Sequence, residues 1–127
     1  IKKIHNLKNG KKNQIVLWGN GKAKREIIHA DHIANACIFF MKKKTKHSLI
    51  NIGSGKEYSI EDYTKIFLKV IAPNKKIFIK YDKSKPNGSP RKIMDISLAK
   101  KYGWQPRINL EEDVLNTYKA YLKELKL

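Results

Sequence analysis

The 127-residue sequence has one cysteine, Cys37, and three arginines, Arg25, Arg91 and Arg107. A single cysteine excludes an internal disulfide and suits a reducing compartment, so a cytoplasmic protein is expected. The longest uncharged apolar run, 36–41, is far short of the roughly 20 residues a membrane-spanning helix needs. No signal peptide is read, and no membrane partner is expected. The phosphate-binding patterns GxxxxGK[S/T] and GxGxxG are both missing. Methionine is absent before Met41 and the chain opens at Ile1, so a fragment or a processed product is expected. Four histidines and one cysteine leave little to bind a metal. Only "HADH" (29–32) pairs two of them, and no further cluster completes a site, so no metal is expected.

Positive charge, by contrast, is abundant. Twenty-eight cations face 11 acids, a net charge of +17. Such an excess invites a nucleic-acid reading. Yet base readout and bidentate phosphate grip favour arginine, which is scarce here. The lysines are also spread along the whole chain and read as solvated faces. A small basic nucleic-acid-binding module remains the reading from a different class.

The hydrophobic pattern gives a mixed order of elements. Apolar positions 1, 4 and 7 make a weak helical stripe over 1–8. "QIVLWG" (14–19) reads as a strand, 25–30 as a short extended run, and 47–53 as a strand of buried character. Asp31 is the expected cap of a helix over 32–43, with Ile33, Ala36, Cys37 and Phe40 on one face. Ser59 and Asp62 form a capping-box pattern for a helix over 60–71, with Pro73 beyond its end. A strand at 76–82 follows. Residues 94–104 give a short strand-to-helix step with Ser97 as cap and Gly103 as left-handed stop. Asn109 and Glu112 cap a last helix over 110–126, whose expected buried stripe is Leu110, Val114, Tyr118, Tyr121, Leu122 and Leu125. The order argues α/β or α+β.

Four stretches carry possible chemistry. "GNGKAKR" (19–25) is either a hairpin turn or a turn that lets Trp18 and Arg25 reach one ligand, an indole and a guanidinium suiting a nucleobase and a phosphate. "NIGSG" (51–55), following the strand at 47–53, allows a tight backbone turn, and the N-terminus of the next helix could accept an anion. Cys37 reads as a small core residue. "KPNGSPRK" (85–92) holds Lys85, Arg91 and Lys92 on a backbone restricted by Pro86 and Pro90. Several preorganised cations suit a diphosphate, while the plainer alternative is a rigid turn with solvated lysines.

Taken together, "VLWGNGKAKREIIHADHIANACIFF", "INIGSGKEYSIED" and "KPNGSPRKIMDISLAKKYGWQPRINLEEDVLNTYKAYL" resemble the C-terminal part of the GDP-L-fucose synthase family. These are extended short-chain dehydrogenase/reductases of the NAD-dependent epimerase/dehydratase group. The WGxGxxxRE and KPxGxPRKxxD patterns carry the likeness. "REIIHADHIA" alone fits the wider nucleotide-sugar epimerases and reductases, which stay the alternative within the enzyme class. The resemblance implies an α/β fold: the substrate-binding lobe of an extended Rossmann-type enzyme at 1–31 and 54–127, and at 32–53 the last helix and strand of a nucleotide-binding sheet. It implies substrate-binding roles for Lys3, Trp18, Arg25 and Lys92, with Lys92 at the diphosphate. Catalytic residues and the NADP site would lie upstream, and neither Cys37 nor His29 matches the family's acid–base pair. The implied parent converts GDP-4-keto-6-deoxy-D-mannose to GDP-L-fucose by epimerisation at C3 and C5 and reduction at C4, as a homodimer. His32 and Asn87 stand where the family usually has acids.

These implications predict that the purified chain neither binds NADPH nor turns over. NADPH oxidation followed at 340 nm by absorbance should show no rate above buffer.

Overall fold

A computed structural model describes residues 1–107 and 109–126. The order is α1 (Lys2–Asn9), β1 (Gln14–Trp18), β2 (Lys24–Arg25), α2 (Ala30–Lys42), β3 (Tyr58–Ser59), α3 (Ile60–Ile71), β4 (Phe78–Asp82), β5 (Arg91–Lys92), α4 (Ser97–Lys101) and α5 (Leu110–Glu124). The described residues form two small sheets. In one, β1 and β4 run parallel, with Ile15 opposite Ile79 and Trp18 opposite Asp82. In the other the order is β3-β2-β5, antiparallel on the β3 side and parallel on the β5 side. No helix among the described residues is long and apolar enough to cross a membrane.

The larger core joins α1, β1, α3 and α5. Ile4, Ile15, Ile71, Ala72, Val114 and Tyr118 are buried together, with Phe67, Leu68, Leu110 and Leu122 packed round them. β1 alternates as a half-buried strand should, Ile15 and Leu17 inward and Gln14, Val16 and Trp18 outward. His5 is a buried polar residue of α1. Asn9 Nδ2 donates to its Nε2 at 3.2 Å, which leaves Nδ1–H to meet the Tyr118 hydroxyl at 2.9 Å. Lys75 closes the end of α1 by donating to the carbonyls of Leu7 and Gly10, where a cation suits the helix dipole. A second core lies under α2, where Ala36, Ala99 and Trp104 are buried against Phe39, Phe40, Ile50 and Ile52.

Local signals held where they were self-contained. Helix α3 spans the expected residues, and its Ser59–Asp62 capping box is complete in both directions. Gly103 takes φ +92, as its stop role requires. Other expectations fail for reasons of neighbourhood. Helix α2 starts at Ala30, and its cap is His29, whose Nδ1 accepts from the Asp31 amide at 3.2 Å. Asp31 lies inside the first turn instead. Cys37 is exposed rather than in the core, because the inward face of α2 runs through Ala36, Phe39 and Phe40. Residues 47–53 form no strand; Ile50 and Ile52 pack as expected, but no neighbouring backbone among the described residues completes a ladder. The short strand expected near 94 lies earlier, at Arg91–Lys92 within the proline loop, and Ser97 opens α4 while Asp95 Oδ1 accepts its amide at 2.9 Å. Leu125 falls beyond the end of α5 and is 43% exposed.

Ile71 has no exposed surface. Ile71→Ala is expected to cost about 2–5 kcal/mol through lost transfer energy and a cavity. Leu125→Ala should stay within about 0.5 kcal/mol. Urea denaturation of the two variants measures both.

Candidate functional site

The turn after β1 is not a hairpin. β1 pairs with β4, and the chain crosses from there into the second sheet as β2. Gly19 holds the turn at φ +68, and a Cβ there would sit 2.2 Å from Asn87 Oδ1. Both space and conformation therefore demand glycine. Trp18, just before it, is 65% exposed on the open face of β1.

The proline loop is laid along β2. The Lys24 amide donates to the Pro90 carbonyl at 2.8 Å. The register then places Lys24 beside Arg91 and Arg25 beside Lys92. Side chains add three anchors. The Asn20 amide donates to Asn87 Oδ1 at 2.7 Å. Arg25 Nη1 donates to the Ser89 carbonyl at 2.7 Å and to the Lys24 carbonyl at 2.6 Å. The Lys85 ammonium lies 5.9 Å from the centroid of the Trp18 ring, within cation–π range. Tyr63 fixes β2 from below: its hydroxyl donates to the Arg25 carbonyl at 3.1 Å and accepts from the Ile27 amide at 3.0 Å. Burial raises the Tyr63 pKa above the usual phenol value, so the donor stays protonated.

Two like-charged register pairs thus sit side by side, an arrangement a sheet disfavours without a counter-charge. The first pair has one. Glu57 reaches Arg91 Nε at 2.7 Å and Lys24 Nζ at 3.4 Å. The hydrogen bond from Arg91, and then that from Lys24, hold the Glu57 carboxyl below the usual glutamate range against some desolvation. The second pair, Arg25 and Lys92, has no carboxylate at ion-pair distance among the described residues.

Of the four expected substrate-binding residues, the structure groups three round the loop. Trp18 lies at its start, and Arg25 and Lys92 at its end. Lys3 stands apart on α1, lining a groove of about 560 Å³ with Leu7, Gln14 and Val16 that contains none of the other three. Its link to them is the outward face of β1, which carries Gln14, Val16 and Trp18 in turn.

Two expected features are used internally. "NIGSG" turns one amide and one hydroxyl to the chain's own carboxylate: Glu26 accepts from Gly55 N at 2.6 Å and from Ser54 Oγ at 3.0 Å. In "HADH", His29 caps α2, and His32 Nε2 pairs with Asp113 at 3.1 Å. Sequence reasoning passed over Glu26, Glu57 and Tyr63. The one available signal was Glu26 itself, an acid followed directly by the apolar pair of "REIIHA".

Residues 1–53 match the NAD dependent epimerase/dehydratase family. The chain is 35% identical over 125 residues to probable GDP-L-fucose synthase 1 of Oryza sativa subsp. japonica, covering 98% of this chain and 38% of that protein. It is equally similar, 35% over 125 residues, to GDP-L-colitose synthase of Yersinia pseudotuberculosis, with 98% and 40% covered. Among solved structures, a GDP-6-OMe-4-keto-L-xylo-heptose reductase from C. jejuni superposes with a TM-score of 0.73 at 28% identity, over 97% of this chain and 37% of that one. The chain thus spans well under half the length of the relatives it matches. Its fold is mixed α/β, matching part of the extended Rossmann-type reductases and epimerases.

A carboxyl with a lowered pKa stabilises the fold above its unfolded value and loses that contribution as pH falls through its folded value. The Glu57 clamp is therefore expected to persist at neutral pH and to open below the ordinary glutamate range. The amide-exchange protection factor of Lys24, read by NMR, should drop there, and Glu57→Gln should abolish the step.

Proposed function

Because the chain is a partial region of the GDP-L-fucose synthase family, within the NAD-dependent epimerase/dehydratase group, we propose that it carries the sugar-nucleotide grip of a GDP-sugar epimerase-reductase. In this reading Arg25 and Lys92 meet the diphosphate, Trp18 packs against the nucleotide, and Lys3 adds charge along the approach. Residues 1–31 and 54–127 form most of the substrate lobe. Residues 32–53 complete a nucleotide-binding sheet supplied by the rest of a homodimeric parent. The parent converts GDP-4-keto-6-deoxy-D-mannose to GDP-L-fucose with NADPH.

The observation that carries the reading is the pair of cations at Arg25 and Lys92. They are register partners on adjacent strands, and Glu57 serves the other pair instead. An external dianion at that place would remove the repulsion and gain charge-assisted hydrogen bonds. The proline loop holds the two cations before the ligand arrives, which lowers the entropy cost of binding. Fixing the diphosphate also fixes the sugar relative to acid–base groups elsewhere in the parent, where proximity lowers the barrier. A 4-keto group acidifies both neighbouring C–H bonds, so one acid–base pair can serve C3 and C5.

The described residues do not fit a dinucleotide. The glycine turn after β1 leads into β2 rather than a helix, and the amide of Gly55 is taken by Glu26. NADPH would be bound by parts of the parent outside this stretch, and the roles of this chain are confined to the sugar nucleotide. The outward face of α2 supports the placement of 32–53. Ala34, Cys37, Ile38 and Met41 are exposed on it at helical spacing, while Ala36, Phe39 and Phe40 pack inward. A helix apolar on two faces belongs between layers.

Isothermal titration of the chain with GDP-mannose, UDP-glucose and random duplex DNA tests the reading. GDP-mannose is expected to bind and UDP-glucose to bind more weakly. Lys92→Ala and Arg25→Ala should each cost about tenfold or more, from a charged hydrogen bond of roughly 1.5–3 kcal/mol. Equal binding of the two nucleotide sugars would overturn the GDP assignment. Binding confined to DNA, steeply salt-dependent, would favour the nucleic-acid module.

A further inference from the structure

Glu26 follows Arg25 directly, yet no cation among the described residues lies at ion-pair distance from its side chain. Its carboxylate is half-buried and accepts from three donors in two remote segments. Oε1 takes the amide of Gly55 at 2.6 Å and the hydroxyl of Ser54 at 3.0 Å. Oε2 takes the amide of Met94 at 2.8 Å. Met94 lies two residues past Lys92, where the β2–β5 ladder has already ended. The carboxylate therefore prolongs by a side chain the pairing that the backbone stops making.

Gly53 is shaped to this arrangement. A Cβ there would lie 2.6 Å and 2.9 Å from the two carboxylate oxygens, closer than any real contact. Its φ is not in the left-handed region, so alanine there is expected to push the Glu26 carboxylate aside rather than strain the backbone. A half-buried carboxylate held by three donors is fixed in place, and moving it breaks charge-assisted hydrogen bonds.

We infer that Glu26 is a positioning residue for the anion grip: by tying Met94 and the "NIGSG" loop to the end of β2, it sets where Lys92 stands beside Arg25. It also occupies the Gly55 amide and the Ser54 hydroxyl with an internal anion, while Arg25 and Lys92 keep no carboxylate at ion-pair distance among the described residues. The inference rests on the proposed diphosphate role of that pair.

The test compares GDP with guanosine, which lacks the diphosphate, on the 127-residue chain and its Glu26→Ala, Gly53→Ala and doubly substituted forms. Affinities come from quenching of Trp18 fluorescence in a Trp104→Phe background. Glu26→Ala is expected to weaken GDP about tenfold and leave guanosine unchanged. Gly53→Ala should do the same by displacing the carboxylate. The double variant should be no worse than Glu26→Ala, because the two act through one contact. Equal loss for guanosine and GDP would show a general structural role and overturn the inference. So would GDP binding by Glu26→Ala at wild-type affinity, with the proposed function left standing. If Glu26→Ala fails to fold, Gly53→Ala alone carries the comparison, and wild-type GDP affinity in it overturns the inference. Failure of the unsubstituted chain to bind GDP would bring down the proposed function and this inference with it.

Discussion

Two residues of backbone, Lys24 and Arg25, hold the site together. They pair with β3 on one side and β5 on the other, so three segments remote in sequence meet on one short strand. A two-residue ladder is weak by itself, and side chains make up the difference. Tyr63 brackets it from Arg25 to Ile27, Arg25 reaches over to Ser89, and Glu26 extends it to Met94. Each clamp is a side-chain hydrogen bond to backbone, which fixes a loop without requiring regular structure.

Charge placement follows from that strand. A net charge of +17 gives a positive field everywhere and singles out no place. Locality comes from alternation along β2. Lys24 and Arg91 face Glu57, while Arg25 and Lys92 have no such acid. Four cations within two register steps thereby split into one pair that shares a carboxylate and one pair that has none. The same logic disposes of the other conspicuous motifs. The Gly55 amide of "NIGSG" and the histidines of "HADH" bind groups of the chain itself, Glu26, Asp31 and Asp113.

Beside the second core, helix α2 and the segment after it leave apolar side chains exposed. Helix α2 packs inward through Ala36 and Phe39, yet Met41 is 85% exposed and Leu49, just beyond the helix, 76%. Residues 47–53 have the composition of a buried strand and form none. A strand exists only with a partner for its amides and carbonyls. Both features fit the proposed place of this stretch against a nucleotide-binding sheet.

By itself the sequence determined what depends on near neighbours. The Ser59–Asp62 box fixed the start of α3, the alternation of "QIVLW" fixed β1, and Asn109 marked the start of α5. The positions of Trp18, Arg25 and Lys92 were legible as motifs, although not their arrangement. Packing in three dimensions sets which cations lack an acid, that Cys37 is exposed, and that Glu26 serves Gly55 and Met94. Capping and periodicity act over three or four residues, so they are written locally. A carboxylate 29 residues from one donor and 68 from another finds them only after the chain has packed.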